Sequence, residues 1–310
     1  MLSVLTQPNY PKAALGLERD SVTAVSLQRE GKGRFAVKQA ATIELPNDLL
    51  TPSFLEQNIA SREELTVLLE EAVVSAGLKN QKNWSVSLPS NTARSAILTL
   101  EGGAAKNETE DVLDWKAEQS FGAPAGELRI TRSKISNDSE GRARYFATAV
   151  KLAVIDEYET VFESLGWKAG LILPRAVSET NWLTGDGSGT DSLLISSQTD
   201  GFTALLLRND EPAVVRSVTC TISERDDEIY RLLMFYHDRF GATESGSLLE
   251  KILVIGSDLV PAKIKEISAE ALGRALKILS PDDVGLTLPV SSLEFDDIAA
   301  PAGLATLGWR

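Results

Sequence analysis

The sequence predicts an α/β protein whose core is built twice. Both halves contain the same order of elements, namely an apolar hairpin, an amphipathic helix and a further apolar strand. Residues 184–190 separate the two halves and have the glycine-rich composition of a flexible linker. With 310 residues, 43% of them hydrophobic, the chain is long enough to form two domains with sizeable cores.

The first copy of the pattern begins with apolar residues on both sides of a polar turn. The segment Ser21–Leu45 therefore predicts a β-hairpin. Ser61 and Glu64 form a capping box ahead of apolar residues at helical spacing, and Gly77 is a typical helix stop. The strand Trp84–Leu88 completes the first copy.

The second copy repeats this order with different residues. Apolar strands and a polar turn span Ser192–Val218. Ser223 and Asp226 predict the start of a helix with a broad apolar face that ends at Gly241. The apolar strand Ile252–Ile255 follows. The repeat is therefore one of pattern and not of residue identity.

An additional module interrupts the first half, at about residues 88–150. It contains a predicted strand at Ser95–Leu100, a helix capped by Asn107, and a second hairpin. We therefore predict a first lobe at residues 1–183, which includes this module, and a second lobe at residues 191–310.

Composition excludes several functional classes. The formal charge of −13 and the pI of about 4.7 disfavour binding to nucleic acid, because phosphate backbones would be repelled. A single cysteine, Cys220, and a single histidine, His237, provide no cluster with the spacing of metal ligands. The sequence shows neither a signal peptide nor an apolar stretch long enough to span a membrane. We therefore expect a cytoplasmic chain without membrane insertion.

Four short motifs along the chain carry a resemblance to a known family. They occur in the family's order over nearly the whole chain, and they are Val86-Ser87-Leu88-Pro89 with Arg94 and Ile97, Asp114–Phe121, Glu228–Tyr236, and Gly303-Leu304-Ala305. Together they resemble the type IV pilus assembly protein PilM family of the actin-like ATPase superfamily. The resemblance implies an actin-like duplicated fold with an inserted small α+β module in the first lobe and a reduced second lobe.

The resemblance also implies where ATP and Mg²⁺ would bind, and at those positions the sequence departs from the family pattern. The residues that match the nucleotide-binding positions form an eroded site: Gly16, Glu18, Ser21, Ser196, Gly256 and Ser257. The first phosphate loop lacks its second glycine, and the second lacks its Asp and Gly. Glu18 then has two readings, a remnant of a magnesium site or a turn residue that faces solvent.

The missing glycines have a physical consequence. Glycine allows backbone N–H groups to approach a phosphate closely, and a side chain at the same position blocks that approach. In addition, Arg216–Val218 leads almost directly into the helix near Ser223, where the family has a subdomain that forms one wall of the nucleotide cleft. We therefore expect no catalytic activity, no cofactor and at most weak binding of Mg-ATP. The alternative is an actin-like ATPase switch that still depends on nucleotide.

The resemblance implies a protein partner as well. It suggests a scaffold at the inner membrane that binds the short cytoplasmic tail of a PilN-like pilus assembly protein, with a cytoplasmic motor ATPase as a second candidate partner. The tail would lie in a groove flanked by Leu88, Pro89 and the strand that contains Ile97. The alternative is that these three residues belong to the subdomain core.

Overall fold

The computed structural model describes residues 9–101, 109–184, 190–240, 249–289 and 293–310. The chain forms two compact units, each assembled from separate stretches of sequence. Unit 1 contains the chain up to Thr92 together with Ala153–Trp182 and Gly285–Arg310. Unit 2 contains Ala93–Leu152 and Leu183–Val284.

Unit 1 is built on a six-stranded sheet with helices. Its elements in chain order are β1 (Ala13–Leu17), β2 (Ser21–Gly31), β3 (Arg34–Glu44), α1 (Arg62–Ser75), β4 (Asn83–Leu88), α3 (Leu152–Ser164), β8 (Lys168–Pro174), α4 (Arg175–Glu179), β14 (Leu286–Thr287) and α7 (Phe295–Leu307). The strand order is β14-β3-β2-β1-β4-β8. Strands β1, β2 and β3 are antiparallel, whereas β4 is parallel to both β1 and β8. The carboxyl ends of β1, β4 and β8 therefore lie at the same edge of the sheet.

Unit 2 contains a five-stranded sheet and a separate three-stranded sheet. Its elements are β5 (Arg94–Thr99), α2 (Thr109–Phe121), β6 (Leu128–Ile135), β7 (Arg144–Lys151), β9 (Asp191–Gln198), β10 (Gly201–Arg208), β11 (Glu211–Thr219), α5 (Arg225–Phe240), β12 (Leu249–Ile255), α6 (Pro261–Leu272) and β13 (Lys277–Ile278). The larger sheet has the order β11-β10-β9-β12-β13, and the smaller one β5-β7-β6.

The two large sheets share one topology. In each sheet, the first three strands in chain order form antiparallel pairs, each strand with the next. The first of these strands also pairs in parallel with a later strand, β1 with β4 in unit 1 and β9 with β12 in unit 2. The two predicted hairpins occupy equivalent positions in these sheets. The predicted duplicated α/β core is therefore confirmed.

Several local predictions are also confirmed. Ser61 caps α1, and its side chain accepts a hydrogen bond from the backbone N–H of Glu64 at 3.2 Å. The strand predicted at Ser95–Leu100 is β5, which pairs with β7 in the small sheet. The start of α5 differs from the prediction, because the helix begins at Arg225 and the carboxylate of Glu224 accepts from the backbone N–H of Thr221 at 3.0 Å.

The compact units differ from the predicted lobes in two ways. The inserted module groups with unit 2, where β5 packs against β11. The end of the chain groups with unit 1, because β14 pairs with β3, and α7 packs against α4, β1 and β2. Gly303 explains the contact between α7 and α4, since a Cβ at this position would lie 2.4 Å from the carbonyl oxygen of Ser178. The predicted linker centre (185–189), Asn107 and Gly241 lie outside the described residues.

Candidate functional site

The predicted first phosphate loop is a tight turn between two antiparallel strands. Strand β1 ends at Leu17 and β2 begins at Ser21, so only residues 18–20 connect them. The backbone N–H of Glu18 donates to the carbonyl oxygen of Ser21 at 2.8 Å. Because the turn itself uses this N–H, the group is not available to a phosphate. The short turn expected from the sequence is therefore confirmed.

Glu18 lies in an ion-pair cluster with Arg175 and Glu179. Nη1 of Arg175 is 3.0 Å from Oε2 of Glu18, and Nε of Arg175 donates to Oε1 of Glu179 at 2.8 Å. The side chain of Glu179 is fully buried, and that of Glu18 is 24% exposed. The cation beside the Glu18 carboxylate is thus an arginine of the same chain.

The topology of unit 1 brings this cluster together. Glu18 follows β1 and Arg175 follows β8, and both strands end at the same edge of the sheet. Arg175 is the first residue of the short helix α4, directly after Pro174 at its N-cap. Glu179 is four residues further along this helix, a spacing that places it on the same face as Arg175.

Burial of this cluster changes its acid–base properties. Burial raises the pKa of Glu18 to about 7, because the Arg175 charge offsets the loss of water only in part, and Glu179 and Asp20 raise it further. Burial by itself would lower the pKa of Arg175, but the carboxylates of Glu18 and Glu179 hold it above its ordinary value. Glu18 therefore changes its charge near neutral pH, whereas Arg175 stays protonated.

Gly16 has a packing role in unit 1. A Cβ built on Gly16 would lie 2.9 Å from the Cγ and Cδ atoms of Pro301, a residue inside α7. No side chain fits at that distance unless the helix moves. The close approach of α7 to β1 thus accounts for a glycine here without reference to a phosphate.

In unit 2, a different buried arginine contacts the predicted second phosphate loop. Arg225, the first residue of α5, is 3% exposed and forms an ion pair with the carboxylate of Asp258. Its Nη1 donates to Oγ of Ser197 and its Nη2 to the carbonyl oxygen of Gln198, both at 3.4 Å. The end of β9, where the resemblance implies contacts to phosphate, is therefore covered by the guanidinium of Arg225.

The remaining predicted residues of unit 2 surround this ion pair. Ser196 is fully buried on β9, and its hydroxyl has no hydrogen-bond partner among the described residues. Gly256 has a φ of +135°, and a Cβ there would lie 2.3 Å from the Cβ of Ser197. Ser257 is exposed. A glycine is thus required at position 256, because a side chain there would strain the backbone and overlap with Ser197 of the neighbouring strand.

The connection expected to lack a subdomain is short. Strand β11 ends at Thr219 and α5 begins at Arg225, so residues 220–224 alone join them. This segment is a turn in which the Oγ1 of Thr221 donates to the Glu224 carboxylate at 2.8 Å. The additional wall that the family resemblance would place here is absent from this connection.

Sequence reasoning missed the four residues that form the two ion-pair clusters: Arg175, Glu179, Arg225 and Asp258. The spacing of Arg175 and Glu179 by four residues was a usable signal for an ion pair on a helix. Arg225 and Asp258 are far apart in the sequence, and only the fold of unit 2 brings them into contact.

The three predicted partner-binding residues fall in both units and differ in exposure. Leu88, at the end of β4 in unit 1, is buried, and so is Pro89. Ile97, on β5 in unit 2, is half-buried and lines a surface groove of about 360 Å³ between β5 and α2. Trp115 of α2 also lines this groove, and 58% of its surface is exposed. Neither Leu88 nor Pro89 lines this groove.

Two searches of the described residues gave negative results. No group of three or more His, Cys, Asp or Glu side chains could hold a metal ion in the described part of the chain. Every helix in the same ranges is too short or too polar to cross a membrane.

The described geometry can be compared with known proteins. No family model matches the sequence, and no curated protein sequence matches it either. Among solved structures, the PilM-PilN type IV pilus biogenesis complex contains a chain with a TM-score of 0.76 and 15% identity, and the match covers 98% of this chain and 100% of that chain. The predicted actin-like duplicated fold is therefore confirmed, as is the resemblance to PilM at the level of the fold.

Two further solved structures match at lower TM-scores. One is the cytoplasmic domain of EpsL, an inner membrane component of the type II secretion system of Vibrio cholerae, with 11% identity, 96% and 93% coverage and a TM-score of 0.48. The other is a protein from Bacteroides thetaiotaomicron with an actin-like ATPase fold, with 10% identity, 99% coverage of both chains and a TM-score of 0.48.

Proposed function

We propose that this chain is a non-catalytic actin-like scaffold of a type IV pilus or related secretion assembly. In this role it works in the cytoplasm, at the inner membrane, and binds the short cytoplasmic tail of a PilN-like membrane protein. A cytoplasmic motor ATPase is a second candidate partner. The fold shared with the PilM chain of a PilM-PilN complex supports the type of assembly and the type of partner.

The observation that carries the non-catalytic part is the replacement of both phosphate loops by internal ion pairs. In unit 1 the turn uses its own N–H group, and Arg175 pairs with Glu18. In unit 2, Arg225 pairs with Asp258 at the end of β9. A nucleotide phosphate would have to break these contacts and leave buried charges without partners, which is energetically costly.

For the partner, we propose the groove between β5 and α2 as the docking site. A short peptide needs a concave apolar surface or an open strand edge. Strand β5 is at the edge of its sheet, and the groove beside it combines polar and charged side chains with apolar ones, among them the exposed indole of Trp115 and the half-buried Ile97. Exposed tryptophans at such positions often contribute strongly to binding.

Nucleotide binding is tested by calorimetric titration of the purified chain with Mg-ATP. We expect no measurable heat of binding at micromolar protein concentration and no phosphate release above a blank. Micromolar affinity for Mg-ATP, or nucleotide that survives purification, would overturn the non-catalytic proposal and restore the ATPase switch.

The docking proposal is tested with Trp115→Ala. This variant should reduce co-purification with a membrane-anchored PilN-like partner at least tenfold, because it removes an exposed aromatic anchor. Its melting temperature should be nearly unchanged, since Trp115 is 58% exposed. The matched control is Ile222→Ala, which removes an apolar side chain that is 74% exposed in the same unit and does not line the groove. Full binding by Trp115→Ala, or equal loss in both variants, would contradict this docking site.

A further inference from the structure

A second groove lies in unit 1, and none of the residues of the ion-pair clusters or of the Trp115 groove lines it. It has a volume of about 350 Å³ and is formed by the start of β1, the middle of the β2–β3 hairpin, the segment after α1 and the end of the chain. This volume is within the range of small-molecule sites. The side chains that define its character are Lys12, Leu27, Lys38, Gln39, Leu78 and Trp309.

The charge of this groove is opposite to that of the chain. Two lysines, Lys12 and Lys38, line it, and none of the described residues that line it is acidic. Both lysines are exposed, and neither forms an ion pair within the ranges that the structure describes. On a chain with a formal charge of −13, this is a local site for an anion.

Besides the two lysines, the groove contains an amide and an indole N–H that are not available to a ligand. The amide of Gln39 is already used, because its Nε2 donates to the carbonyl oxygen of Gly77 at 3.1 Å and its Oε1 accepts from the hydroxyl of Ser26 at 3.4 Å. The indole N–H of Trp309 is buried, so a ligand in the groove contacts the ring of Trp309 and not this donor.

The walls of the groove are largely apolar. Leu27, Leu78 and the ring of Trp309 contribute them, and the ammonium of Lys12 lies 3.8 Å from the centre of the Trp309 ring. A lysine over an aromatic face combines positive charge with an apolar contact surface. A ligand that fits this surface has an acidic head and an apolar body.

We propose that this groove is a binding site for an amphiphilic carboxylate, a molecule with one carboxylate on a short apolar chain. The carboxylate accepts from the ammonium groups of Lys12 and Lys38, and the apolar part packs against Leu27, Leu78 and Trp309. The site is independent of the scaffold proposal, because it uses neither ion-pair cluster nor the groove at Trp115.

The experiment uses hexanoate as the probe and the indole N–H resonance of Trp309 as the readout, with Trp309→Phe to assign that resonance. We expect a saturable shift with a dissociation constant on the order of 1 mM, which suits a ligand of this size. Hexanol, which lacks the charge, and hexylammonium, which reverses it, should not compete. A resonance that does not shift, or an equal shift with either control ligand, would overturn the proposal.

Variants of the two lysines provide the second arm. Lys12→Gln with Lys38→Gln should weaken hexanoate binding at least tenfold, while the melting temperature stays the same because both side chains are exposed. Lys32→Gln removes an exposed lysine at the hairpin turn of the same unit and should bind hexanoate like the parent chain. Unchanged binding by the double variant would show that the lysines do not hold the carboxylate.

Discussion

Both buried arginine clusters lie at the end of the first strand of their sheet, after β1 in unit 1 and after β9 in unit 2, but they differ in charge balance. In unit 1, Arg175 faces two carboxylates, Glu18 and Glu179, and the second of these is fully buried. In unit 2, Arg225 faces a single carboxylate, Asp258, which is 35% exposed, and completes its contacts with a hydroxyl and a carbonyl group. The cluster in unit 1 thus combines one arginine with two carboxylates, whereas the cluster in unit 2 combines one arginine with one carboxylate.

This difference shows that two units with the same topology can fill the position of a phosphate loop with ion-pair clusters of different composition. In unit 2 the arginine is neutralised by one partner that still has contact with water, so each charge is compensated. In unit 1 one arginine contacts two carboxylates, and the pKa of Glu18 rises to about 7 as a result of burial. The first cluster should therefore be both more sensitive to mutation and more sensitive to pH.

The largest effect is expected for Arg175→Met. It removes the guanidinium that pairs with both Glu18 and Glu179, and the loss of one partner from a buried ion pair typically costs about 3–5 kcal/mol. Urea denaturation followed by circular dichroism measures this cost. The control is Arg19→Met, whose contact with Asp48 is 3.8 Å between exposed side chains and should contribute less than about 1 kcal/mol. Equal costs for the two variants would show that the cluster does not stabilise unit 1.

A smaller loss of stability is expected for the two glycines of the predicted nucleotide-binding positions, Gly16 in the first phosphate loop and Gly256 in the adenosine loop. Gly256→Ala combines an unfavourable φ of +135° with overlap on Ser197 and should cost about 2–3 kcal/mol. Gly16→Ala meets only the ring of Pro301 and should cost about 1–2 kcal/mol. The same denaturation experiment ranks them, and an alanine that is tolerated at both positions would argue against the packing explanation.

Arg225→Met should cost less than Arg175→Met, about 1–2 kcal/mol. The carboxylate of Asp258 is one-third exposed and can turn toward water, so only part of its interaction is lost. Thermal unfolding of both variants side by side tests this order. A cost for Arg225→Met above that for Arg175→Met would reverse the comparison between the units.

The last expected effect concerns the pH dependence of stability. Because the pKa of Glu18 is raised from 4.5 to about 7, the folded state binds more protons than the unfolded state between these pH values. The stability contributed by this group therefore falls as the pH rises through the window. Glu18→Gln removes the titration, so its stability relative to the parent chain should increase from pH 5 to pH 8. Glu71→Gln, at an exposed position on α1, should show no such trend.

Much of the fold was accessible from the sequence because its signals are local. Ser61 with Glu64 predicted the start of α1, and the alternation of apolar and polar residues predicted both hairpins. The short turn after β1 was also visible, since it depends on neighbouring residues. The order of these elements was sufficient to predict the duplicated core and the resemblance to PilM.

The candidate sites were less accessible, because their residues meet only after the chain has folded. Gly16 and Gly256 could be recognised as glycines at the predicted nucleotide-binding positions, but their contacts with Pro301 and Ser197 could not be foreseen. The sequence likewise did not reveal that Leu88 and Pro89 are buried whereas Ile97 is only half-buried. Exposure is decided by packing between distant elements, and no pattern within one element contains that information.

The sequence by itself determined the type and order of the elements, the excess of negative charge and the loss of the phosphate-loop glycines. Only the tertiary structure decided what replaced those loops. It placed the end of β8 beside the end of β1, which pairs Arg175 with Glu18, and the start of α5 beside Asp258. The physical reason is the separation of the interacting residues along the chain. Helix caps and turns depend on residues a few positions apart, whereas a buried ion pair forms only when folding brings two distant segments together and removes both from water.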